Sequence, residues 1–298
     1  MPRTREPRIP TKKVKLELFS IHGHINNQPV DYVELFRFLS SLTPEQCTES
    51  VGERFARILF SEAGDGSYYF AAYSGSSEAT FLVLDVAAST EEERGLERGK
   101  VVVRKTLGLI DPGRREVVVQ LVHNGVRAAQ VAQLIERFAQ RATPGRYEDL
   151  SVEFTPIPGE SFLQELEQFQ RIQATRIRLA RPNYDWEEYG ETLQALGQDS
   201  NAKNLEVAAS ANRNGSLSKD DGLVGLLKDL VQRGRSIIKG ASVRGIMEGQ
   251  AGPITLDLNR HIESRTVDVP VSATGQPLEA EVREVARTLL TDRVEPTP

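Results

Sequence analysis

His22-Gly23-His24 is the densest group of metal-binding side chains in the sequence. Two histidines spaced i, i+2 on a strand project to the same side, so both imidazoles can approach one cation. Gly23 would keep the backbone between them open. A complete site needs a third ligand, and Asp31, Asp65 and Asp85 are aspartates that could supply it. Asp85 closes the apolar run Phe81-Leu82-Val83-Leu84, and acids at strand ends can hold metals or act as bases. Asp257 is placed in the same way after Leu256. His22, His24 and Asp85 are thus the candidate metal set, suited to a metal-dependent nuclease or phosphoesterase. The plainer reading is a polar strand end entering a turn, with carboxylates that cap or face water.

Arginines form the second constellation. Arg176 and Arg178 share one face of a strand whose other face carries Ile177 and Leu179, and Arg181 follows. Arg235, Lys239 and Arg244 lie around and beyond the Gly234 turn. Brought together, these six side chains make a surface that contacts phosphates. Scattered, they are the solvated face any mixed-charge protein has. Arg3, Arg5, Arg8, Lys12 and Lys13 add a basic arm at the start.

Other signatures are missing. There is no Gly-x-x-x-x-Gly-Lys-Ser/Thr, no Gly-x-Gly-x-x-Gly, no Gly-x-Ser-x-Gly and no His-Glu-x-x-His, so phosphate-loop, dinucleotide, serine-hydrolase and zinc-protease readings lose support. His123-Asn124-Gly125 reads as a strand-to-helix turn with Asn124 as N-cap. Tyr189 lies one turn after Trp186 and reads as a helix anchor, although Arg181-Pro182-Asn183-Tyr184 beside it could serve base stacking. Cys47 follows a helix with no histidine near it. No residue is assigned a catalytic role, and no cofactor is named.

The elements that must position these groups follow from periodicity. Of 298 residues, 39% are hydrophobic and 27% charged, which is enough to build a core. The length suits about two domains. The net charge of −5 provides no overall attraction for nucleic acid or an anionic membrane, so any basic contact must be local. One cysteine excludes an intrachain disulfide and suits a reducing compartment. No run approaches the about 18 apolar residues of a membrane span. The expectation is a cytoplasmic, bacterial-type protein without membrane contact.

Alternation predicts strands over 14–25, 54–60, 68–73, 80–86, 100–110 and 116–122, and a helical stripe predicts helices over 30–42 and 126–140. The charged stretch 89–98 reads as an exposed loop. Strands over 149–155, 173–181, 204–209, 236–243, 254–258 and 266–271 follow, with helices over 161–169, 186–196, 219–233 and 278–290. The expected fold is mixed α+β or α/β. A flexible arm (1–12) precedes an antiparallel-sheet domain with two helices (13–145). An alternating strand–helix domain (146–272) follows, then a helix with a frayed tail (273–298).

Two segments carry a resemblance: Lys15-Leu-Glu-Leu-Phe-Ser-Ile-His-Gly-His24 through Val33-Glu-Leu-Phe36, and Ile177-Arg-Leu-Ala-Arg-Pro-Asn183 with Asn201-Ala-Lys-Asn204 and Lys239-Gly240. On these segments the chain resembles uncharacterised bacterial proteins of mobile and antiphage-defence loci. The resemblance implies a defence role through binding a nucleic acid or a partner protein, and carries over no catalytic residue. A binding effector or accessory protein is the first expectation. A metal-dependent nuclease or phosphoesterase is the second. A structural module whose C-terminal helix supports a homo-oligomer is the third.

Overall fold

The computed structural model describes residues 10–26, 28–51, 54–76, 81–85, 90–95, 100–180, 204–232 and 237–292. It is a mixed α+β structure of a nine-stranded and a four-stranded antiparallel sheet with helices packed on them, and a two-stranded ribbon.

The large sheet is built around β1 (Thr11–Ile25), followed in the chain by β2 (Gln28–Pro29), β3 (Thr48–Val51), β4 (Arg54–Glu62) and β5 (Tyr68–Ser76). β6 (Phe81–Asp85) and β7 (Thr90–Arg94) come next, then β8 (Val102–Asp111), β9 (Glu116–Leu121), β10 (Ser151–Pro156) and, much later, β15 (Ser264–Pro270). Its order is β10-β1-β9-β8-β5-β4-β3, with β15 and β2 also on β1. Order begins earlier than the expected Val14, because Thr11, Lys12 and Lys13 already pair with Pro270, Val269 and Asp268. The charged stretch expected as a loop contains β7, which pairs with β6 as a separate two-stranded sheet.

Helix α1 (Tyr32–Ser41) buries Tyr32, Leu35, Phe36 and Leu39, an i, i+3, i+4, i+7 stripe. Asp31 caps it by accepting from the Glu34 N–H at 3.0 Å. Helix α2 (Ala128–Ala142) lies on the same face, with Phe138 and Ile135 in the shared core. Its cap is Arg127 and not the expected Asn124. Asn124 takes a left-handed turn (φ 57°) before the helix begins, and the Arg127 N–H donates to Gln130 Oε1 at 2.8 Å. At Gly108 the β8 backbone comes very close to its neighbours: a Cβ there would stand 2.2 Å from the Phe70 ring and 2.4 Å from the Val118 carbonyl oxygen.

The other sheet face receives the last helix. This helix, α5 (Glu279–Thr291), buries Val282, Ala286, Leu289 and Leu290 against Leu16, Leu18, Leu107, Leu109 and Val118. Its stripe therefore docks on its own chain.

The chain leaves the large sheet after β10, through α3 (Glu160–Glu167), to build the small sheet. β11 (Phe169–Ala180), β12 (Asn204–Ser210), α4 (Gly222–Gln232), β13 (Ile238–Met247) and β14 (Ile254–Asp257) follow, and a short 3-10 turn (Leu258–Arg260) leads back to β15. The order is β12-β11-β13-β14, antiparallel throughout. This favours the α+β alternative over a parallel α/β arrangement. The polar turn at 142–145 separates α2, which packs on the large sheet, from β10, which is one of its strands.

Exit and return run side by side. The Glu263 N–H donates to the Ile157 carbonyl at 2.7 Å, and the Gly159 N–H donates to the His261 carbonyl at 2.7 Å. The His261 ring sits between two α3 side chains, with Nδ1 3.2 Å from Ser161 Oγ and Nε2 3.7 Å from Glu165 Oε2. Beside this neck, a cavity of about 450 Å³ separates the two bodies, lined by Leu18, Leu163, Val231 and Leu289.

Candidate nucleic-acid interface

β11 builds the site by simple alternation. Thr175, Ile177 and Leu179 are buried against α3 and α4, whose Phe162, Leu166, Leu227 and Leu230 fill the core beneath the small sheet. Arg176 and Arg178 then must point to the opposite face, and both are exposed. The register carries that face across the strands. Arg178 stands between Glu206 on β12 and Gly240 on β13, and Arg176 stands between Ala208 and Ser242. Arg244 lies beside Ala174 on one side and Thr255 on the other, and is also exposed. Ser242 in turn faces Asp257 on β14.

Three of the arginines expected from the sequence therefore share one sheet face. Arg176 and Arg178 border a shallow cavity of about 270 Å³, lined also by Glu206, Ser242, Asp257 and Asn259. Arg176 Nε is 3.4 Å from Glu206 Oε1, with both side chains largely in water. Asp257 is held in place by accepting from the Asn259 N–H at 3.0 Å and Nδ2 at 3.1 Å. Gly240 gives Arg178 its resting place, since a Cβ there would stand 3.3 Å from Arg178 Nη2 and 3.5 Å from Asn259 Nδ2. The arrangement offers guanidinium, amide and hydroxyl donors around a space the size of a small anionic group.

Lys239 does not join this face. A bulge between Arg178 and Leu179 leaves Lys239 as the extra residue on β13. Its ammonium pairs with Glu153 on β10, tying the small sheet to the large one. Arg181 and Arg235 lie outside the described residues, as do the 186–196 helix and its aromatics.

The histidines are placed differently. His22 is buried on β1 opposite Glu153, and His24 is half-buried between Ser151 and Pro29. Gly23 is small for a packing reason, because a Cβ there would meet Tyr32 Oη at 3.1 Å and the Ser151 carbonyl oxygen at 3.3 Å. Asp85 closes β6 opposite Thr90, and its side chain is outside the description. Among the described residues no three His, Cys, Asp or Glu side chains gather as a metal site.

A family model described as a domain of unknown function (DUF4747) matches residues 109–248. The match covers just under half of the chain. The DUF4747 segment runs from the end of β8 to the end of β13, so it contains Arg176, Arg178, Glu206, Gly240 and Arg244. His22, His24, Asp85 and Asp257 fall outside it. No curated protein matches the chain. No helix among the described residues is long and apolar enough to cross a membrane.

Sequence reasoning missed Glu206 and Asn259 as neighbours of the arginines. Neither carries a local signal, because Glu206 reaches the cavity through strand pairing and Asn259 through the turn that follows β14. Asp257 was visible as an acid at a strand end, but its role as the anchor of Asn259 appears only in the turn geometry.

Proposed function

We propose that this chain is a binding protein whose small sheet grips the phosphate backbone of a nucleic acid. The observation that supports it most is the alignment of Arg176, Arg178 and Arg244 on one exposed face, beside a polar cavity that Gly240 keeps open. In this reading the chain acts in the cytoplasm as an effector or accessory protein of antiphage defence, in keeping with its resemblance to proteins of such loci. Its overall charge of −5 confines the contact to this face.

Fluorescence anisotropy with labelled oligonucleotides across a salt series tests it. Three arginine–phosphate contacts give a slope of log K against log salt of about −2. The double variant Arg176→Ala, Arg178→Ala is expected to weaken binding at least about tenfold and flatten the slope. Binding that ignores both salt and these substitutions would refute the proposal. So would the loss, in the same variant, of a protein partner with no change in nucleic-acid binding.

A further inference from the structure

Resting on that reading, we infer that the face accepts a single strand, held by its backbone with the bases turned away, and rejects a duplex.

The cations form one track. Arg178 and Arg176 are two residues apart on β11, so their Cα atoms step about 6.6 Å along the strand. Arg244, level with Ala174, continues the line by one more such step on the neighbouring strand. A single polyanion can follow this row from guanidinium to guanidinium.

The track has acidic kerbs. Glu206 stands on β12 to one side, and Asp257 stands on β14 to the other. Those strands are three spacings apart, or about 14 Å. A duplex brings a second row of phosphates beside the first, over one or the other carboxylate, and like charges repel there. Both carboxylates are anchored, Glu206 by Arg176 and Asp257 by Asn259, so neither swings clear without losing a contact.

Among the described residues the floor carries no aromatic ring. Between the arginines, the described positions of this face are Ala174, Ala208, Ser210, Gly240, Ser242 and Thr255. Strong base stacking uses aromatic rings. On this described face recognition rests on phosphates and tolerates any sequence. The best single seat is the Arg178–Asn259 pair over Gly240, where two donor groups converge on one cavity.

The test compares one labelled oligonucleotide, about 20 nucleotides long, with its own duplex at low salt, using the full chain. Single strand is expected to bind about tenfold tighter, with oligo-dT and oligo-dA within about threefold of each other. The double variant Glu206→Gln, Asp257→Asn is expected to close the gap by raising duplex affinity. Asparagine keeps the turn cap, so folding should persist, and circular dichroism checks it. Gly240→Val is expected to displace Arg178 and weaken single-strand binding about fivefold at an unchanged melting temperature. Equal affinity for both forms, or an unchanged gap in the charge variant, overturns this inference and leaves the proposed function standing. Failure of both forms to bind overturns the two together.

Discussion

Gly108 shows how tightly single positions are determined in the large sheet. The Phe70 ring lies over it from the neighbouring strand, in direct register, and the Val118 backbone closes the other side. A methyl group at 2.2 Å from a ring carbon cannot be accommodated without moving β5 or β8. Gly108→Ala is expected to cost about 1–3 kcal/mol, the usual range for overpacking a close-packed core. Urea unfolding with an unchanged m-value measures it. A neutral or stabilising result would mean that the Phe70 ring swings aside. Nothing in the local sequence announces this constraint, since Gly108 sits in a run that reads as an ordinary apolar strand. The arginine row was partly legible for the opposite reason. Arg176 and Arg178 flank Ile177, so alternation alone puts both on the solvent side. Arg244 joins them through a register formed across nearly seventy residues of chain, which no local pattern encodes. Lys239 looked equivalent to Arg244 until the bulge turned it toward Glu153.

At the level of elements, α5 carries a testable balance between apolar and ionic docking. Its buried stripe includes Val282, Leu289 and Leu290, and a fully buried side chain of this kind contributes roughly 1.5–3 kcal/mol. Around the stripe, Glu279 pairs with Lys105 and Arg283, and Arg287 Nε is 3.7 Å from Asp65 Oδ2. Burial pushes the Glu279 carboxyl up, but Lys105 and Arg283 outweigh it and hold it below its ordinary value of 4.5. Asp65 is lowered from 3.8, chiefly by the Ser67 hydroxyl, against some burial and with help from Arg287. Both folded-state values are depressed, so their stabilisation is full above the ordinary carboxylate range and is lost as pH falls through the lowered values. Exposed ion pairs are each worth about 0–1 kcal/mol, so acid should loosen α5 without releasing it. The melting temperature is expected to fall between pH 6 and pH 3, and to fall less in the Asp65→Asn, Glu279→Gln double variant. An equal fall in both proteins would remove these carboxylates from the account. Elements of this kind were well legible in the sequence. Helical and alternating stripes placed α1, α4, α5 and most strands within a few residues, because each element buries one face. The charged stretch holding β7 was not, since Glu91, Glu92 and Glu93 give no alternation to read.

For the molecule as a whole, the small sheet is an excursion from the large one. β10 and β15 both pair with β1, end to end along one side. Pro156 sits opposite Phe19, and Ser264 sits opposite Glu17. Exit and return therefore lie about 6.6 Å apart along β1. The joint between the bodies is modest: the neck hydrogen bonds, the His261 clasp, the Lys239–Glu153 pair and a cleft that is not filled. Replacing residues 158–262 by a short glycine–serine linker is expected to leave a large sheet that melts cooperatively. Calorimetry on the shortened protein checks it, and a non-cooperative transition would show that the small sheet completes the large one's core. This organisation was out of reach of sequence reading, because strands more than two hundred residues apart carry no mark of being neighbours.

The same connectivity bears on biosynthesis. β1 leaves the ribosome well before β15, the segment that pairs with its Thr11–Glu17 half, which follows some 250 residues later. At translation rates of about 5–20 residues per second, Val14 and Leu16 wait roughly 10–50 s for that cover. The pairings of the small sheet fall within a single stretch of chain and can close while this goes on. The nascent protein thus passes through a stage in which one half is finished and the other exposes a bare β edge, the kind of surface that chaperones hold and that neighbouring polysomal chains can capture.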